Sequence, residues 1–146
     1  MILHKSEHLT FFTPDHIEGL GAHFVDAGIS AGFPSVADEF VENRLSLDET
    51  LVKNKETTFY AKVSGQSMVG AGLDDNDLLV IDRSLQPANN KIAVCFLDGE
   101  FTVKRLRVER GEVWLQPENP DYPIIKITDA NDFVIWGIVT NVIKKV

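Results

Sequence analysis

The chain has a single cysteine, Cys95, and it lies inside the apolar run IAVCFL. One cysteine can form neither an intramolecular disulfide nor a cysteine-based zinc site, and it reads as a small buried hydrophobe in a protein of the reducing cytoplasm. Long apolar runs are absent too. No stretch approaches the roughly 18 residues that span a bilayer, and the opening MILHKSEHLTFF lacks the h-region of a signal peptide, so no membrane association is expected. Basic residues are few: 14 Lys and Arg against 22 Asp and Glu give a net charge of −8. The two local clusters, Lys104–Arg105–Arg107–Arg110 and Lys144–Lys145, are too small to neutralise a phosphate backbone, and direct nucleic-acid binding is not expected. The four histidines, His4, His8, His16 and His23, are spaced by 4, 8 and 7 positions, which matches no standard ligand pattern. Neither a metal nor another cofactor is expected.

A length of 146 residues, 44% hydrophobic and 25% charged, suits one soluble globular domain with a real core. Residues 1–31 show no sustained period and read as an irregular N-terminal arm packed on a body made of residues 32–146. The segment DAGISAGFPS, residues 26–35, is small-residue-rich. It reads either as a flexible linker or as an extended segment that another site could grip, with Ile29 its one large aliphatic side chain. From Val36 to Val52 the pattern turns helical: Val36, Phe40 and Val41 share a helix face, Leu45 and Leu47 follow, and Ser46-Leu47-Asp48-Glu49 forms a capping box. After Thr57 the chain reads as about seven strands: TFYAKVS, LLVID, KIAVCFLD, EFTVKRLRV, EVWLQP, IIKIT and FVIWGIVTNVIKKV. Asp98-Gly99 and Arg110-Gly111 supply tight turns. The fold class is mostly β, a curled antiparallel body with one short helix.

Two features carry chemistry. SGQSMVGAGLDDND, Ser64 to Asp77, places Ser67 on a glycine-flanked turn after a strand, where Gly65, Gly70 and Gly72 permit positive φ or close approach of another backbone. A hydroxyl held there beside exposed backbone N–H groups suits a nucleophile with oxyanion donors at hand, and an ordinary Gly/Asp-rich hairpin loop fits the same residues. In EFTVKRLRV, alternation sets Thr102, Lys104, Leu106 and Val108 on one face and Phe101, Val103, Arg105 and Arg107 on the other. Arg105 and Arg107 mark their face as partly solvated and leave Lys104 as the lone charge among apolar neighbours. Desolvation lowers a lysine pKa and makes a general base of the amine, whereas a snorkelling lysine at the strand's end needs no such role. Every histidine lies N-terminal to the strands, so a Ser–Lys pair is the arrangement open to this chain.

SGQSM with FTVKRL downstream, GLDDNDLLVID, the closing WGIVTNVIKKV and an Ala31–Gly32 bond upstream together resemble the self-cleaving serine–lysine peptidases of the LexA repressor type, over nearly the whole chain. GFPSVADEFVENRLSLDETL after Gly32 is similar to the UmuD branch of that family, whose arm is likewise short and lacks a helix-turn-helix domain. Ala31 departs from the cysteine common at that position in UmuD proteins, and the repressors accept alanine there. The resemblance implies a LexA-like peptidase body, Ser67 as nucleophile, Lys104 as base, the N–H groups of Gln66 and Ser67 as oxyanion hole, and Ala31–Gly32 as scissile bond, with Ile29 and Ser30 in the groove beside it. It further implies cleavage stimulated by a RecA filament on single-stranded DNA, a homodimer of the 32–146 product, and assembly with a UmuC-like translesion polymerase in the SOS response. Alternatives are a non-enzymatic polymerase-accessory module and a repressor-type regulator without its DNA-binding half. A signal-peptidase relative with the same dyad is disfavoured by the missing membrane anchor.

Overall fold

A computed structural model describes residues 2–5, 9–14, 22–25 and 42–146. The chain divides into two units, one of residues 1–14 with 54–146 and the other of residues 15–53.

The smaller unit contains a two-stranded antiparallel ribbon, β3 (Ala22–Val25) with β4 (Glu42–Leu45), and the helix α1 (Leu47–Leu51). The helix begins where the capping box places it. Ser46 has extended backbone at the N-cap and its hydroxyl accepts from the Glu49 N–H at 3.4 Å. The helical reading of the residues before it is corrected at Glu42–Leu45, which pair in register with Val25–Ala22 as a strand. A helix face needs several turns to declare itself, and the helix that forms is only five residues long. Residues 36–41 lie outside the described residues.

The larger unit is a nine-stranded, wholly antiparallel sheet. Its elements are β1 (Ile2–Lys5), β2 (Leu9–Phe12), β5 (Thr58–Val63), β6 (Leu78–Asp82), β7 (Ile92–Leu97), β8 (Glu100–Glu109), β9 (Glu112–Gln116), β10 (Ile125–Lys126) and β11 (Phe133–Ile143). The spatial order is β1-β2-β5-β6-β11-β7-β8-β9-β10. The seven strands expected after Thr57 are all present, and the body is mostly β, curled and antiparallel as read. Asp98 and Gly99 have φ of 48° and 92°, and Arg110 and Gly111 of 50° and 75°, so both hairpins turn through two residues of positive φ. The stretch read as irregular supplies two strands of its own to this sheet, with β2 pairing antiparallel to β5 from Leu9↔Val63 to Phe12↔Tyr60. Four residues are too few for a period of two to stand out.

Apolar side chains gather into two cores. One core gathers Leu9, Phe11, Ala61, Val63, Met68, Leu73, Leu79, Ile81, Val94 and Val103. The other gathers Ala93, Cys95, Leu106, Leu115 and Ile138. Alternation along β7 accounts for the split, since Ala93 and Cys95 enter one core and Val94 the other. Phe11 packs edge-on against Phe101 and Trp136, each at 4.9 Å between ring centroids, and so ties β2 to β8 and β11.

Candidate active site

Ser67 follows the end of β5. Val63 closes that strand by donating to the Asp77 carbonyl and accepting from the Asn76 N–H, both at 2.9 Å, which pins the two ends of the intervening loop together. Inside it the Gly65 N–H donates to the Asp75 carboxylate at 2.9 Å. Residues Val69–Ala71 form a 3-10 turn that ends on Gly72. The three glycines divide their work as glycine chemistry allows. Gly65 and Gly72 take φ of 113° and 79°, while Gly70 lies so close to Glu118 that a Cβ would sit 2.6 Å from its carbonyl oxygen. Ser67 is half-buried between exposed Gln66 and buried Met68.

Lys104 comes from the middle of β8, directly opposite Ala93 on β7. It is 8% exposed. The face of β8 opposite Lys104 is not open along its length, because Val103 is buried and Phe101 packs against the first core; only the later Arg105 and Arg107 reach toward solvent. Lys104 itself projects to the other face, the face of buried Leu106. Burial pushes its pKa below the ordinary lysine value. Burial also drives Cys95 up to about 12.

The serine and the lysine meet. Lys104 Nζ lies 2.9 Å from Ser67 Oγ, 2.8 Å from Thr102 Oγ1 and 3.1 Å from the Val103 carbonyl oxygen. An ammonium donates to all three. A neutral amine keeps two donors and gains a lone pair, so one contact must reverse. The carbonyl cannot donate and the hydroxyls can. Reversal at Ser67 yields O–H···N, the hydrogen bond from which a serine loses its proton to a base.

Ser67 and Lys104 open onto a groove of about 270 Å³, walled by Leu9, Val63, Leu97 and Ile125 with Tyr122 and Pro123 at its side. Among the described residues the backbone N–H groups of Gln66 and Ser67, both on that groove, have no hydrogen-bond acceptor. Ile29, Ser30, Ala31 and Gly32 lie outside the described residues. Among the described residues no group of three His, Cys, Asp or Glu side chains could hold a metal ion, and no helix is long and apolar enough to cross a membrane.

Sequence reasoning missed two contributors. Alternation puts Thr102 on the Lys104 face, yet that alone gives it no function; its Oγ1 accepts from Lys104 Nζ. The Pro-rich ENPDYP, residues 118–123, reads only as a connection, although Glu118 both donates to the Ser67 carbonyl at 2.9 Å and accepts from Gly70 at 2.8 Å.

The family described as Peptidase S24-like matches residues 23–140, which includes both Ser67 and Lys104. The chain belongs to the Peptidase S24-like family. Among its curated relatives, Protein MucA of Salmonella typhimurium is 43% identical over 114 residues, 77% of each chain. Protein ImpA of Escherichia coli is 39% identical over 115 residues, 79% of this chain and 78% of its own. The LexA repressor of Paracidovorax citrulli (strain AAC00-1) is 40% identical over 116 residues, 80% of this chain but 51% of the repressor. Membership of the S24-like family joins the chain to peptidases. It is consistent with the UmuD-type branch, since similarity to MucA and ImpA extends over most of their lengths.

Proposed function

We propose that this protein is a serine endopeptidase that cuts its own Ala31–Gly32 bond with Ser67 as nucleophile and Lys104 as general base. The observation that carries the reading is the 2.9 Å contact between Oγ of Ser67 and Nζ of a buried lysine. In the first step Lys104, as neutral amine, takes the Ser67 proton while Oγ attacks the carbonyl carbon of Ala31. The oxyanion forms beside the N–H groups of Gln66 and Ser67. Its collapse breaks the bond to Gly32, whose nitrogen takes the proton from Lys104. The Ala31 ester on Ser67 is then hydrolysed: water gives a proton to Lys104 as its oxygen attacks the ester carbon, and the bond to Ser67 breaks as Oγ takes that proton back from Lys104, which frees the Ala31 carboxyl group. Substrate and catalyst share one chain or one dimer, so effective concentration replaces tight binding, and control lies in how often the cleavage segment docks.

Similarity to MucA, ImpA and LexA repressors supports placing this cleavage in the SOS response. In that setting a RecA filament on single-stranded DNA stimulates cleavage in the cytoplasm, and the 32–146 product, as a homodimer, joins a UmuC-like translesion polymerase. The test is incubation of the intact chain at alkaline pH, followed by mass spectrometry. Fragments ending at Ala31 and beginning at Gly32 are expected, and they should vanish in Ser67→Ala and Lys104→Ala. An intact wild-type chain, or cleavage that persists in either variant, overturns the reading.

A further inference from the structure

Asn119 opens a tight turn. Pro120 follows it, fixing the backbone for the second position, and Tyr122 N–H donates to the Asn119 carbonyl at 3.1 Å. Its side-chain Oδ1 accepts from the Asp121 N–H at 3.0 Å, a local turn bond of the kind asparagine favours. That bond settles the orientation of the amide, because only the oxygen can face an N–H. The Nδ2 group is thereby turned outward, and it donates to the Gln66 carbonyl oxygen at 2.9 Å.

The peptide joining Gln66 to Ser67 is trans, as every described peptide is. In a trans peptide the C=O and the N–H point in opposite directions. A donor fastened to the Gln66 oxygen therefore sets where the Ser67 N–H points, which is away from Asn119. Glu118 N–H anchors the next carbonyl, that of Ser67, at 2.9 Å, so rotation of the first peptide is opposed from both ends. We infer that Asn119 is a positioning residue that aims the Ser67 N–H at the oxyanion through its amide bond to the Gln66 carbonyl. This rests on the reading of Ser67 as a self-cleaving nucleophile.

Two substitutions separate this role from support of the turn. Asn119→Asp keeps an oxygen for the Asp121 N–H and loses the donor to Gln66, whereas Asn119→Ala loses both. The first-order rate of self-cleavage is measured from neutral to alkaline pH in the full chain, with thermal unfolding to show that each variant folds. Both substitutions should lower the alkaline plateau by roughly 10- to 100-fold, the scale of a misaimed catalytic group, and Asn119→Ala, which adds no charge near Lys104, should leave the midpoint of the pH profile in place. The inference is overturned by a wild-type rate in either variant, or by a moved midpoint in Asn119→Ala, which would mean that the whole loop had shifted against Lys104. A wild-type chain that stays intact, or one still cut without Ser67, overturns the peptidase reading itself and this inference with it.

Discussion

Lys104 Nζ and Ser67 Oγ, 37 positions apart in the chain, lie 2.9 Å from each other, and the lysine is the more deeply buried of the two. That asymmetry gives the pair a direction. Burial costs the ammonium its hydration, while the serine keeps an open side toward the groove.

The first prediction concerns pH. The proposed mechanism requires the neutral amine, so below the Lys104 pKa the rate constant should rise about tenfold per pH unit, as expected for loss of one proton. The burial-lowered pKa puts the midpoint below 10.5, the ordinary value for lysine. Stopped-time electrophoresis across the pH range checks it. Lys104→Ala should lose at least roughly 10² to 10⁴ in rate, enough that no fragment is detected, and show no inflection.

The second prediction follows from the same burial. A lysine whose folded pKa lies below its unfolded one opposes folding wherever it is charged. As pH rises past the folded value the native state sheds its proton first, so stability increases up to the unfolded value and then levels. Replacing the charge with an apolar chain of similar length removes the penalty. In a Ser67→Ala background, Lys104→Met should raise the unfolding free energy at pH 7 by about 0.5–2 kcal/mol, the usual gain on relieving a functional site. Urea titration measures it.

Residue pattern made most of this site legible. Period-2 alternation put Lys104 among apolar neighbours and Thr102 beside it, and the glycine spacing exposed Ser67. Ile29 to Gly32 lie outside the described residues, so the bond that the resemblance nominates stands on sequence alone. The support supplied by residues 118–123 was not legible, because it depends on carbonyl and amide groups, and a backbone hydrogen bond across 51 positions, from Glu118 N–H to the Ser67 oxygen, leaves no trace in side-chain pattern. Burial of the Val103 face was hidden for another reason: part of the core around it comes from Leu9 and Phe11 of β2, whose four residues are too short a signal.

Two glycines predict opposite phenotypes. A methyl at Gly70 would meet the Glu118 carbonyl oxygen at 2.6 Å, and backbone cannot swing aside as a side chain can. Gly70→Ala should break the Gly70–Glu118 hydrogen bond, displace the serine loop and slow cleavage by about 10²-fold. At Gly137, beside the irregularity where β11 pairs with β7, the obstacle is Ile81 Cγ2 at 2.6 Å. Gly137→Ala overpacks the sheet and should cost about 1–3 kcal/mol of stability. Unfolding curves and cleavage rates, measured on both variants, separate the two effects.

The last prediction concerns acid. Asp77 is 5% exposed at the end of the loop that carries Ser67, and burial alone would raise its pKa. The ammonium of Lys144 and the N–H of Asp74 outweigh that burial, and together they hold the carboxyl below its usual range. Lys144 also bridges to Asp74 at 2.6 Å, which fastens the end of the chain to this loop. An aspartate with a depressed folded pKa contributes stability above its unfolded value of 3.8, and that contribution is lost as pH falls through the folded value. Lys144→Ala leaves the carboxylate buried with less compensation, so its folded pKa rises and its stabilising window narrows from the acid side. Acid unfolding followed by circular dichroism in the Ser67→Ala background should therefore begin at higher pH in the Lys144→Ala variant. Lys144 is solvent-accessible, so 1 M salt should shift the parent's midpoint toward that of the variant and leave the variant nearly unchanged. Equal midpoints at low salt would mean that Asp77 is held by the Asp74 amide alone.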